Sequence, residues 1–287
     1  MKYQFIDRYR SLYRVEKMCR VLHISRSSYY TWKNRGTSMR DRENDRLVFE
    51  IKLMYEKSRR LYGSPRITAE LRAKGIRCGE NRIARLMRAN GIVAKTKRRF
   101  KATTDSRHTF PVAENILNQN FTADRPNKAW VSDITYIWTK EGWLYLAAIL
   151  DIFNRKIVGW AMGSRITGDL VTKALIMAVR RQKPTSGVIF HSDRGSQYAS
   201  HDFRKLLEKY ECIQSMSGTG NCYDNAMMET FFHTLKTELV YFERYEKRQD
   251  AHLSIFEYIE IFYNRIRRHS SLGYVSPVDF ERLNAAA

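Results

Sequence analysis

The hydrophobic period of this chain changes once, near residue 121, and that change sets what it can fold into. Before it, apolar residues recur at helical spacing: Val15, Met18, Cys19 and Leu22; Leu47, Ile51 and Met54; Ile67 and Leu71; Ile83, Leu86 and Met87. After it, residues 130–138, 143–153 and 156–162 are rich in β-branched and aromatic side chains, the mark of strands. A Glu141-Gly142 turn joins the first two as a hairpin. An amphipathic helix over 168–182, a short apolar strand over 187–190, a helix over 200–210 and a strand over 212–216 follow. Helices over 224–241 and 247–268 complete the order. Three strands, then alternating helices and strands, imply an α/β layer with a mixed sheet of about five strands, preceded by an all-α region.

The chain has 287 residues, enough for two or three domains. Its formal net charge is +21, which points to a polyanionic partner, most simply nucleic acid. The charge is concentrated: residues 1–120 hold 29 Lys/Arg against 11 Asp/Glu, and residues 121–287 hold 22 against 19. The apolar run 144–150 is too short to span a bilayer, which needs about 20 residues. No apolar stretch opens the chain as a signal peptide would. Cys19, Cys78, Cys212 and Cys222 are scattered with no C-x-x-C pair, so neither a zinc ribbon nor a disulfide framework is supported. Reduced thiols in a cytoplasmic setting are the expectation.

The reading divides the chain at 1–36, 45–100, 101–120 and 121–287. Residues 4–34 read as a helix, a tight turn and a second helix capped by Ser25, with Tyr29 and Trp32 packed back on the first. An exposed start at Arg26 and Ser27 makes this a helix-turn-helix pattern, although an ordinary helical hairpin fits the same residues. Residues 35–45 are polar and read as a linker. In the second helical unit, Ser64-Pro65 starts a helix that Gly75 ends, and a helix over 81–90 stops at Gly91. Arg66, Arg82 and Arg85 are its candidate phosphate contacts, against the plainer reading of a solvated basic face. Lys95, Lys97, Arg98 and Arg99 form the densest basic run and open a polar linker over 101–120.

Three acids stand out. Asp133 lies inside an apolar strand, where an unpartnered carboxylate is expensive. Asp193 follows the run 188–190, just past the carboxyl end of a strand, where open α/β sheets keep their sites. Glu229 lies on a helix between Met228 and Phe232, and an inward-facing side chain is expected. Three carboxylates from three elements suit Mg²⁺, which takes oxygen ligands and keeps waters. Two such ions would serve an in-line displacement at phosphorus. Taken singly, each acid also reads as a cap, a strand end or a surface residue. His191, on the strand face of Asp193, is as readily a packed histidine as a site residue. His233 lies one turn from Glu229.

Asp193 and Glu229 are separated by 35 residues. That spacing, and the words around it, resemble one family. The words are Trp130-x-x-Asp133-Ile134-Thr135-Tyr136, the run His191 to Tyr198, Gly220-Asn221-Cys222-Tyr223-Asp224-Asn225-Ala226, and Tyr263-Asn264-x-x-Arg267-x-His269 through Tyr274. Tyr62-Gly63-Ser64-Pro65-Arg66-Ile67 and residues 18–32 match it too. The chain thus resembles, over nearly all its length, the second-frame (OrfB) transposases of the type-three insertion sequences. The resemblance implies a ribonuclease-H-like core with a retroviral-integrase-like acidic triad at Asp133, Asp193 and Glu229. It implies that Asp133 bridges two Mg²⁺ ions, that Asp193 and Glu229 each hold one, and that Mn²⁺ substitutes. It also implies a basic residue seven positions after the glutamate, here Lys236, on the same helix face as Glu229 and placed to hold a DNA phosphate. His191, His233 and Asn225 become candidates for steadying the site.

The implied activity is cleavage at the ends of a mobile element followed by 3′-hydroxyl strand transfer and integration. The implied partners are double-stranded DNA, carrying the terminal inverted repeats or the target, further copies of the chain on that DNA, and no membrane. Family members are often made as a longer fusion with an upstream-frame (OrfA) product that supplies a helix-turn-helix and a zipper. The chain carries no heptad run, so it acts either with that product or alone through residues 10–35 and 60–100. A metal-dependent nuclease without strand transfer, and a DNA-binding regulator with an inactive core, remain the other readings.

Overall fold

The computed structural model describes residues 1–36, 38–95, 112–218 and 222–285. Two units separate, residues 1–93 and 94–287.

The first unit is all helical. Helices α1 (Lys2–Tyr9), α2 (Val15–Val21) and α3 (Arg26–Asn34) pack on one another. The single helix expected before residue 22 is two, broken over residues 10–14. Ser25 caps α3 by accepting from the Ser28 N–H at 3.3 Å. The turn before it has no glycine; His23 takes the left-handed conformation instead, at φ 53°. Tyr29 is fully buried and donates to Asp7 Oδ1 at 2.9 Å, and Trp32 stacks on Tyr3.

Helices α4 (Met39–Lys57), α5 (Ser64–Ala73) and α6 (Glu80–Ala89) form a second packed group. The polar stretch read as a linker over 35–45 is in large part the first turns of α4. Ser38 and Asp41 close a reciprocal capping box there, and the charged residues that follow lie on its exposed side. Gly75 (φ 78°) and Gly91 (φ 66°) end α5 and α6 in the left-handed conformation.

The second unit is built on one sheet: β1 (Ala129–Thr139), β2 (Gly142–Asp151), β3 (Ile157–Gly163), β4 (Ile189–Ser192) and β5 (Ile213–Met216), in the order β3-β2-β1-β4-β5. The first three strands pair antiparallel; β1–β4 and β4–β5 pair parallel. This is the mixed five-stranded layer that the strand order implied, and it agrees with the ribonuclease-H-like core that the resemblance implied. Helix α7 (Gly168–Gln182) makes the crossover from β3 to β4, and α8 (Ser196–Ala199) and α9 (His201–Lys209) follow β4. Trp130, Ala147, Ile149, Val158, Leu175, Phe190 and Phe203 form the core they share. Gly159 sets how closely α7 lies on the sheet: a Cβ there would stand 2.3 Å from the Ala174 carbonyl oxygen.

Helix α10 (Ala226–Glu238) packs on β1. Helix α11 (Arg248–Glu257) runs into a π-helical stretch, Tyr258–Tyr263, and α12 (Pro277–Ala285) follows. The Asn264 side chain donates to the Ile157 carbonyl at 3.0 Å and accepts from its N–H at 2.9 Å, satisfying the edge strand β3 there.

Residues 112–120 are no free linker. Leu117 is buried, and the Ile116 and Leu117 N–H groups donate to Ser215 Oγ at 3.0 and 3.2 Å. Polar composition suggested solvent, yet the Asn115 and Gln119 side chains donate to the buried Asp224 at 2.9 Å each.

Candidate active site

The sheet register brings the first two acids together. The parallel β1–β4 ladder ends with Ser132 opposite Ser192. The next step on each side is Asp133 and Asp193, at neighbouring positions where strands lie about 4.8 Å apart. Asp133 Oδ1 accepts from the Ile134 N–H at 2.7 Å, and Asp193 Oδ1 from the Gly195 N–H at 3.0 Å. A Cβ at Gly195 would crowd that carboxylate at 3.1 Å. Asp133 is only half-buried by surface, but sheet and helix enclose it. That enclosure, and then the charge of Asp193, hold its carboxyl well above the usual carboxylate range; the Ile134 N–H, and more weakly Lys236, pull the other way.

Glu229 does not face inward. Met227, Met228, Phe231, Phe232 and Leu235 fill the buried stripe of α10, and Glu229, a step of about 100° from Met228, is exposed. Partial desolvation raises its pKa, and its charge adds to the field on Asp133. Among the described residues, no three acidic, His or Cys side chains lie close enough together to hold a metal. The donor set nonetheless suits a hard divalent cation. Two carboxylates share an enclosed place with excess negative charge, and Mg²⁺ typically needs only one or two beside substrate phosphates.

Lys236 is half-buried with its Nζ 4.7 Å from the Tyr136 ring centroid. Burial lowers its pKa, and Tyr136 and Asp133 oppose that shift. Asn225 is buried at the start of α10 and donates through Nδ2 to the Ser132 carbonyl at 3.1 Å, next to Asp133. Its Oδ1 is buried with no partner among the described residues. His191 is fully buried: Nδ1 meets Ser215 Oγ at 2.8 Å and Nε2 meets Ser217 Oγ at 3.2 Å. Burial depresses its pKa to about 4, so a neutral imidazole fastens β4 to β5. His233 is exposed on α10.

Asp224 was not singled out from sequence. It is buried and accepts from Asn115 Nδ2 (2.9 Å), Gln119 Nε2 (2.9 Å) and the Gly218 N–H (2.7 Å), tying the entry segment to the α10 side of the site. Nothing local marks it, because Asn115 and Gln119 lie more than a hundred residues away.

The DNA-contact candidates are placed unequally. Arg26 and Ser27 are exposed at the start of α3, the Ser27 hydroxyl 2.6 Å from that of Ser25. Arg85 is exposed on α6. Arg66 lies over the Tyr62 ring. Arg82 is engaged within its own unit, forked onto Glu43 at 3.0 Å and bonded to Asn44. Lys95 lies over Phe242. Lys97, Arg98 and Arg99 fall outside the described residues.

Comparison with known proteins agrees with this layout. Residues 123–222 match the Integrase core domain family, and residues 229–284 match a second model with the same description. Residues 42–100 match the HTH-like domain family, which falls on α4–α6. A chain of the simian T-cell lymphotropic virus intasome, solved with the PP2A regulatory subunit B56 gamma, aligns over 81% of this chain and 74% of its own at 15% identity and TM-score 0.48. The HTLV-2 integrase catalytic core domain, solved with magnesium, aligns over 56% of this chain and 99% of its own at 14% identity and TM-score 0.44. An uncharacterized 31 kDa protein of insertion element IS600 from Shigella sonnei is 50% identical over 92% of this chain and 97% of its own. Transposase InsF of insertion sequence IS3A from Escherichia coli K12 is 42% identical across the full length of both chains. With an integrase core, an HTH-like domain and relatives matched from end to end, the chain belongs to the IS3 family of insertion-sequence transposases.

Proposed function

We propose that Asp133, Asp193 and Glu229 are the catalytic acids of a DNA strand-transfer reaction and hold divalent metal, Mg²⁺ first and Mn²⁺ in its place. The supporting observation is the register that sets Asp133, in the middle of β1, beside Asp193, just past the carboxyl end of the parallel neighbour β4, with the Asp133 carboxyl held high by enclosure and like charge. When bound, the metal supplies Lewis-acid activation of the attacking oxygen and neutralises charge on the leaving one. Asp133 and Asp193 provide the fixed part of the site, and Glu229 completes it from α10. Lys236 holds a substrate phosphate beside them. The basic first unit binds the element's terminal repeats, through Arg26, Ser27, Arg66 and Arg85. In the first step water attacks a phosphodiester phosphorus, leaving a 5′-phosphate on one side of the cut and freeing a 3′-hydroxyl on the other; in the second that hydroxyl attacks another phosphodiester phosphorus, giving up its proton and displacing the 3′-oxygen of the strand it attacks, which leaves as a new 3′-hydroxyl. Joining two ends calls for at least two copies on DNA, and the upstream-frame product is the expected helper. No helix among the described residues is long and apolar enough to cross a membrane.

The test is a cleavage and joining assay on labelled DNA carrying the terminal repeats, with Mg²⁺ or Mn²⁺. Wild type is expected to give joined products. Asp133→Asn is expected to lose both steps by more than about a hundredfold, exceeding the usual effect of removing a group that only orients a metal ligand, while binding duplex DNA unchanged. Nicks without joining, with the upstream product present, would favour a nuclease; full activity in the variant would overturn the assignment.

A further inference from the structure

The β1–β2 hairpin carries an aromatic cluster for which the fold has no evident use. Trp138 and Trp143 are cross-strand partners, their ring centroids 4.9 Å apart, and Tyr136 stands edge-on to Trp143 at 5.0 Å. Trp138 is 59% exposed and Trp143 41%. The hairpin end is nevertheless held firmly. Arg248 Nε donates to the Trp143 carbonyl at 3.0 Å, the Arg248 N–H to the Glu141 carboxylate at 2.9 Å, and the Lys140 N–H to the Tyr245 carbonyl at 3.1 Å. Two large rings are thus presented to water on a braced support.

Position and charge say what they meet. Trp138 is five strand residues from Asp133, about 17 Å at 3.3 Å per residue, and that odd separation turns its ring to the other sheet face from the Asp133 side chain; Lys236, whose charge acts on Asp133 and whose Nζ lies 4.7 Å from the Tyr136 ring centroid, links the two. Each nucleotide rises about 3.4 Å along a duplex axis, so a strand held at Asp133 comes level with the rings within about five nucleotides. Lys236, over Tyr136, places a cation between the acids and the rings. A cation beside exposed aromatic faces is the pattern that binds unpaired nucleotides, because every base has a π-face. A second copy of the chain is a poor occupant. An aromatic side chain offers about 150–250 Å² at most, much of it here already covered, and a stable interface needs about 800 Å² per partner.

We propose that Tyr136, Trp138 and Trp143 form a stacking platform for an unpaired base on the DNA strand being cut. This rests on the reading of Asp133 and Asp193 as the catalytic pair, and it names what the neighbouring surface recognises. An end whose last bases are unstacked would lodge there while Lys236 holds the adjoining phosphate.

The test needs no catalysis. Binding of a labelled single-stranded oligonucleotide, and of the duplex of the same sequence, is measured by fluorescence anisotropy in metal-free buffer with the full chain. The Trp138→Ala/Trp143→Ala protein is expected to lose at least about fivefold in single-strand affinity, with duplex affinity within about twofold of wild type. Trp138→Phe/Trp143→Phe keeps the π-faces and is expected to retain single-strand binding. Unchanged single-strand affinity in the alanine protein overturns the proposal. So does an equal loss on both DNAs, or a loss in the phenylalanine protein as large as in the alanine one. A wild-type dimer that the alanine pair turns into a monomer with DNA binding intact would make the rings a copy–copy interface instead. Asp133→Asn, which should bind the single strand normally while failing to cleave, keeps the fate of this proposal separate from that of the catalytic reading.

Discussion

Asp151 closes β2 with a fully buried carboxylate, accepting from the Asn127 N–H at 2.7 Å and the Phe153 N–H at 2.9 Å. Burial outweighs those bonds and raises its pKa from 3.8 to about 6. An acid with a higher pKa folded than unfolded binds its proton more tightly when folded. Its contribution to stability is therefore full below about 3.8 and is lost as pH rises through about 6. At about 1.36 kcal/mol per pKa unit the loss is about 3 kcal/mol. Urea unfolding of wild type and Asp151→Asn across this range is the check: the stability of wild type relative to the variant should fall by about that amount between pH 4 and pH 7, and a constant difference would refute it. The residue scale is also where sequence is most uneven as a guide. Asp133 and Asp193 were legible because a carboxylate inside or just beyond an apolar strand is conspicuous. The orientation of Glu229 was not, since apolar residues flank it on both sides and only the packed helix decides which of them faces the core. Asp224 stood in the Gly220–Ala226 word, but its role was not legible because its side-chain partners, Asn115 and Gln119, come from another part of the chain.

Helix α10 carries both Glu229 and Lys236, and what holds it decides whether they reach the site. Asn225 ties its first turn to β1. At its other end Glu238 is clasped by Arg267 through two bonds of 2.8 Å and accepts from the Tyr258 hydroxyl at 2.8 Å. The pair is nearly closed to solvent, with side-chain exposures of 7% and 12%. Removing one member leaves the other buried and uncompensated, at a cost of about 3–5 kcal/mol, whereas replacing both by apolar residues is often close to neutral. Arg267→Leu is thus expected to lose about that much in urea unfolding, and Arg267→Leu/Glu238→Leu most of it back; equal losses in the two proteins would show that the charges are not what matters. The π-helical stretch before Arg267 and the final helix α12 were not legible in the sequence. A π-turn has no periodic signature of its own, and the apolar residues of 247–268 fit a continuous α-helix equally well. The strands of the sheet were legible to within a few residues, because alternation and β-branched runs are local and strong.

At the scale of the whole molecule, the excess positive charge and the proposed catalytic acids occupy different units. Residues 1–93 hold 23 Lys/Arg against 9 Asp/Glu, while the proposed catalytic acids Asp133, Asp193 and Glu229 all lie in residues 94–287. Such a division separates affinity from reaction, and salt can tell them apart. If the first unit covers about six to ten phosphates, duplex affinity should fall by about 10³–10⁵ between 50 and 200 mM salt. Each freely exposed cation that touches a phosphate should contribute about one to the slope of log affinity against log salt. Arg85 and Arg88 are exposed on α6, so Arg85→Ala should reduce that slope by about one. Arg82, already forked onto Glu43, has its charge answered within the unit. Arg82→Ala should therefore leave the slope almost unchanged. Asp133→Asn should leave it unchanged as well, since it alters the reacting site and not the phosphate-binding surface. A slope that moves with Asp133 and ignores Arg85 would place duplex binding on the sheet unit and overturn this division of labour.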